Sequence, residues 1–119
     1  MNIFMKIKAT LRLREAMRQA EEAHGENGQR YYVMPTSGTS GQLIIMDRDN
    51  FRKLKQKHYI SYSTFVSDLE RECFYCTPYR NGMGELHPAV IAKKRKQYYS
   101  WLDAIKKLKK EEKAKKEAK

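Results

Sequence analysis

The sequence predicts a small α+β domain ending in a long, lysine-rich helix, and three observations carry that reading. Apolar residues recur at helical spacing in several separate stretches. Two short runs rich in aromatic and β-branched residues, "RYYVMP" and "QLIIM", flank a glycine-bearing "TSGTSG", the pattern of a β-hairpin. Positive charge gathers at one end: residues 88–119 hold 12 basic and 4 acidic side chains, a net +8 of the chain's +11. A chain of 119 residues suits one modest core, so residues 1–108 are expected to form a single domain and 109–119 a solvated helical or frayed basic tail.

The N-terminal stretch supports two periods. Met1, Ile3, Met5, Ile7, Ala9, Leu11 and Leu13 alternate, which makes residues 2–8 the expected third strand beside the hairpin. From Thr10 onward Leu13, Ala16, Met17 and Ala20 fall at helical spacing among good helix formers, predicting a helix over 10–24 that stops at Gly25 and the "GENGQ" stretch. A two-stranded hairpin is marginal alone, so the two runs that follow need a helix or a further strand to pack on.

A second helix is expected from "DRDN", where Asp47 or Asp49 can cap free amides, with Phe51, Leu54 and His58 on one face and Ile60 closing the segment. "SYST" resets the chain, and Ser63 or Thr64 opens a third helix burying Phe65, Val66, Leu69, Cys73 and Cys76. Pro78 and "RNGMGE" break it. Pro88 suits the first turn of the last helix, whose stripe of Ile91, Tyr98, Trp101, Ile105 and Leu108 is interrupted by Lys94.

Thr36, Ser37, Gly38, Thr39, Ser40 and Gly41 resemble the first half of the phosphate-gripping loop of the adenylate-forming enzymes. That resemblance would imply a phosphate-binding loop, but Leu43 and Ile44 stand where the family has proline and the lysine that meets the phosphates. It covers six residues. Gln42 likewise replaces the lysine of a nucleotidase loop. The hairpin reading accounts for every residue: Gly38 and Gly41 supply positive φ, and the hydroxyls satisfy the turn's backbone.

Cys73 and Cys76 form a CxxC that, with His58 and His87, makes a Cys2His2 set on paper. The flanking spacings match no common zinc finger, and on a helix face the cysteines act as small apolar fillers, so no metal is expected. A position near a helix C-terminus, where the partial charge is negative, argues against a reactive thiolate. His24 is expected at the end of the first helix and His87 at the cap before Pro88, and no histidine neighbours a nucleophile. The chain therefore reads as non-enzymatic, without a cofactor.

The basic excess points to a polyanionic partner. Arg52, Lys53, Lys55 and Lys57 on the second helix, and Lys93, Lys94, Arg95 and Lys96 on the last with Tyr99 beside them, are the expected contacts to phosphates and bases of RNA or DNA, at low sequence specificity. The alternative is an interaction or structural subunit whose basic tail docks on an acidic protein surface, the exposed hairpin edge leaving room for a homo-oligomer. Its compact, motif-poor character fits a phage or mobile-element accessory protein. The longest apolar run, Leu43–Met46, is far short of the roughly 20 residues of a membrane span, and "MNIFMKIK" lacks a signal-peptide core, so a cytoplasmic setting is expected.

Overall fold

The structure, a computed structural model, describes residues 2–36, 39–56 and 66–117. In chain order these form helix α1 (Ile3–Asn27), strands β1 (Tyr32–Pro35) and β2 (Leu43–Met46), helices α2 (Arg48–Gln56) and α3 (Val66–Glu72), strand β3 (Tyr75–Cys76) and helix α4 (Pro88–Glu117). The α+β class, the hairpin and the three following helices are as the sequence predicts.

The sheet is antiparallel with order β2-β1-β3, and its register explains the layering. Tyr32 pairs with Met46 on one side and Cys76 on the other, while Val33 pairs with Ile45 and Tyr75. Side chains alternate along a strand, so each cross-strand row shares a face. Val33, Ile45 and Tyr75 join Tyr31 and Phe74 in a core against Ala9, Leu13, Ala16 and Ala20 of α1 and Tyr98 of α4. Tyr32, Met46 and Cys76 face the other way, with Met34, and pack against Phe51 of α2 and Leu69 of α3. The fold is thus three layers: α1 with α4, the sheet, then α2 with α3.

Helix α1 corrects two expectations. Residues 3–8 are helical rather than a third strand, and β3 fills that place beside β1. The physical reason is that every second member of an alternating run, here Ile3, Ile7 and Leu11, also falls at i, i+4 and i+8. No turn residue reverses the chain before Thr10, and Asn2 caps the helix by accepting the Met5 amide at 2.8 Å. At the other end the helix passes through Gly25 and stops at Gly28, whose φ of 75° places it in the left-handed cap. His24 stays near that end, its Nδ1 2.7 Å from the Gln29 carbonyl.

The hairpin turn closes through Thr36, whose amide and hydroxyl both donate to the Gln42 carbonyl, and through Gly41 at φ 74°. Asp47 caps α2 by accepting the Asn50 amide at 2.8 Å. Phe51 is buried and Leu54 half-buried, as their spacing predicts; His58, Ile60, Ser63, Thr64 and Phe65 lie outside the described residues. Helix α3 ends at Glu72, so Cys73 follows it and Cys76 belongs to β3, not to a helix face. Both cysteines are nonetheless buried beside Leu69. Pro88 begins α4, and His87 caps it by accepting the Ala89 amide on Nδ1. Burial on α4 ends at Ile105; residues 106–116 are all exposed.

Candidate phosphate-binding face

The predicted cations do not form one surface. Arg52, Lys53 and Lys55 sit on α2, on the side of the sheet opposite α4. Arg52 and Lys53 are exposed, Lys55 lies over the Phe51 ring at 5.9 Å, and Lys57 lies outside the described residues. On α4, Lys93, Arg95 and Lys96 are exposed; Lys93 and Lys96 share a side at i, i+3, while Arg95 points away from both.

Two of the expected contacts are structural instead. Lys94 is 6% exposed, and its ammonium donates to the carbonyls of Glu70 at 2.7 Å and Cys73 at 3.0 Å. It satisfies the C-terminal end of α3, where carbonyls lack helical partners and a cation is favoured. This explains why a lysine interrupts the apolar stripe, and it removes Lys94 from any phosphate surface. Tyr99 is half-buried, its hydroxyl 2.5 Å from that of Thr10 and its ring beneath the Lys6 ammonium at 5.4 Å. It ties α4 to α1 through these two contacts.

The structure assembles a different basic surface, from α1 and α4. A cleft of about 310 Å3 between them is lined by Lys8, Arg12, Lys106 and Lys109, with Ser40 and Gly41 of the hairpin turn at its edge. Asp103 is the one acidic residue on its wall among the described residues. Lys8 and Arg12 are one helical turn apart, as are Lys106 and Lys110. From the cleft, Lys106, Lys109, Lys110, Lys113 and Lys116 continue along one face of α4 at i, i+3, i+4, i+7 and i+10. Glu111 falls on another side of the helix, whereas Glu112 borders the row, three residues after Lys109 and four before Lys116. The row is about 15 Å long at 1.5 Å per residue. The alternating strand reading of residues 2–8 concealed Lys8 as a helix-face residue; the i, i+4 spacing of Lys8 and Arg12 was the available signal.

Away from this face, the CxxC makes an electrostatic cluster. Arg30, 8% exposed, donates from Nη2 to Cys76 Sγ at 2.9 Å and to the Gly84 carbonyl at 3.3 Å, while Nη1 lies 3.4 Å from Glu70 Oε1. The Cys73 thiol beside it and the Arg30 guanidinium draw the Cys76 pKa down to about 6, against burial, with the Lys94 charge adding to the effect. Cys73 is pushed up, by its hydrogen bond to Cys76 and by burial. Arg30 and Lys94 therefore supply the positive field that a helix C-terminus does not. As for the Cys2His2 set, a guanidinium occupies the Cys76 sulfur and His87 is engaged in its cap. No three His, Cys, Asp or Glu side chains among the described residues group as metal ligands.

No described helix is long and apolar enough to cross a membrane. No protein-family model, curated protein or solved structure matches the chain.

Proposed function

We propose that the protein binds nucleic acid through its phosphate backbone, with little base selectivity, along the cleft and lysine row of α1 and α4. The observation that carries this reading is the convergence of Lys8, Arg12, Lys106 and Lys109 on one cleft that runs into the lysine row of α4. A strand carries one phosphate per ~3.4 Å of helix rise, so a row of about 15 Å spans about four of them. Lysine is a mobile point charge, which suits neutralising phosphates without reading base edges. A cytoplasmic setting, where nucleic acid is present and thiols stay reduced, fits both the basic row and the free Cys73 and Cys76. The test is fluorescence anisotropy with labelled single-stranded and duplex oligonucleotides of about 20 residues at physiological salt. The reading expects a Kd in the micromolar range or tighter, and absence of saturable binding refutes it.

A second reading has its own observation. Ile3, Phe4, Ile7 and Leu11 are exposed on the side of α1 opposite its buried Ala9, Leu13, Ala16 and Ala20, with Lys6 and Arg14 among them. An apolar face with a basic rim fits docking on an acidic protein surface. A discrete oligomer or stable protein complex, free of nucleic acid by its absorbance ratio and disrupted by Ile7→Ser, would favour this reading over the first.

A further inference from the structure

We propose that a second anion site, distinct from the lysine row, lies in the pocket walled by Arg30, Arg48 and Arg80, and that its ligand is a phosphate monoester. The pocket forms where three connections meet. Gly28, Gln29 and Arg30 come from the link between α1 and β1, Arg48 from the first residue of α2, and Tyr79 and Arg80 from the segment after β3. At about 530 Å3 it has room for a nucleoside monophosphate and more than a bare phosphate needs.

Arg30 gives the pocket a charge held in a fixed position. Arg30 is more than nine-tenths buried, and its two terminal nitrogens are engaged by Cys76, Gly84 and Glu70. Its Nε has no hydrogen-bond partner among the described residues. A buried guanidinium N–H without an acceptor is unfavourable, and native folds rarely leave one so. The guanidinium carbon lies over the Tyr79 ring, 4.3 Å from its centroid, which helps hold the group in place. Nε is closed off by the packing around it, so Arg30 acts on an anion in the pocket through its charge rather than through that N–H.

The other two arginines add charge that no acidic group among the described residues pairs with. Arg80 donates from Nη2 to the Asn27 carbonyl at 2.7 Å, a neutral acceptor. It lies directly over Gly28: a Cβ there would come within 2.5 Å of Arg80 Nε, so glycine is what lets the guanidinium rest against the chain. Arg48 is exposed and forms no ion pair among the described residues. Among the described residues, Glu70 and the Cys76 sulfur face the terminal nitrogens of Arg30, and Asp47 caps α2. Planar guanidinium forks match a phosphate's oxygens, and the exposed Arg48 and Arg80, with the Arg30 charge behind them, suit a dianionic terminal phosphate better than the singly charged diester of a continuous backbone.

The phosphate monoester has two sources, a free mononucleotide or the 5′ end of a strand, and titration calorimetry at physiological salt separates them. The probes are inorganic phosphate, AMP, adenosine, and one trinucleotide with and without a 5′-phosphate. The site predicts saturable binding of AMP, none of adenosine, and preference for the phosphorylated trinucleotide if strand ends are the source. Arg48→Ala and Arg80→Ala, both exposed positions, should each weaken AMP binding about tenfold, the scale of one charge-assisted hydrogen bond. Lys109→Ala should leave it unchanged. No saturable AMP or phosphate binding up to about 10 mM, roughly a 3 kcal/mol interaction, overturns the proposal. So does loss of AMP binding in Lys109→Ala equal to that in Arg48→Ala, which would return the anion to the α1/α4 face. Failure of long oligonucleotides to bind bears only on that other face.

Discussion

Replacing Lys94 by methionine separates a structural lysine from a phosphate contact. The ammonium donates two charge-assisted hydrogen bonds, to Glu70 O at 2.7 Å and Cys73 O at 3.0 Å, from a site 6% exposed. Bonds to a charged group contribute about 1.5–3 kcal/mol each. Methionine fills the volume of the stem and relieves the desolvation of the charge, but it leaves two carbonyls at the end of α3 without their donor. Offsetting one against the other, Lys94→Met should destabilise the fold by about 2–4 kcal/mol, a large share of a typical 5–15 kcal/mol total. Urea denaturation at pH 7 measures it as a lower midpoint with unchanged slope. A change under about 0.5 kcal/mol, within the range of ordinary surface substitutions, would refute the capping role. So would a nucleic-acid salt slope shallower by about one phosphate contact in a variant of unaltered stability.

Three further outcomes follow from the same geometry. Folding lowers the Cys76 pKa from 9.0 to about 6, so between those values the unfolded chain binds more protons and stability rises with pH. That contribution is complete above about pH 9 and lost as pH falls through about 6, whereas the raised Cys73 acts only above the window; Cys76→Ser should flatten the rise in urea midpoint from pH 6 to 8.5. Ala20 is fully buried between α1 and the sheet, so Ala20→Leu overpacks the interface and should cost about 1–3 kcal/mol by the same assay. Asp47→Ala removes the cap on the Asn50 amide and should cost about 0.5–2 kcal/mol, read as a fall in thermal midpoint.

Period and turn chemistry made most of the fold legible. The hairpin needed only two β-branched runs around glycine, and Pro88 with the Ile91–Ile105 stripe placed α4. What failed was local ambiguity resolved by tertiary packing. Ile3, Ile7 and Leu11 satisfy strand and helix periods at once, and the Asn2 cap together with burial of Ala9 and Leu13 decides for the helix. The two-residue β3 is too short to register as a period and exists because Tyr75 and Cys76 pair with β1. The candidate face was less legible still. Composition identified the basic end of the chain, yet a lysine's role depends on what it meets: Lys94 meets carbonyls, whereas Lys106 meets a cleft shared with Lys8 and Arg12. Arg30 carried no motif at all, since its significance lies in contacts to Cys76 and Gly84 some fifty residues away.

The central claim, that the cleft and row of α1 and α4 hold phosphates, is tested most directly by the salt dependence of duplex binding in three full-length proteins. These are the unmodified chain, the variant K106A/K109A/K110A/K113A, and the variant K93A/R95A/K96A. Each duplex phosphate neutralised contributes about 0.9 to the slope of log K against log salt. The account predicts that the first variant loses about 3 to 4 units of slope. The second should keep nearly all of it. Equal losses in both, or a loss confined to K93A/R95A/K96A, would contradict it.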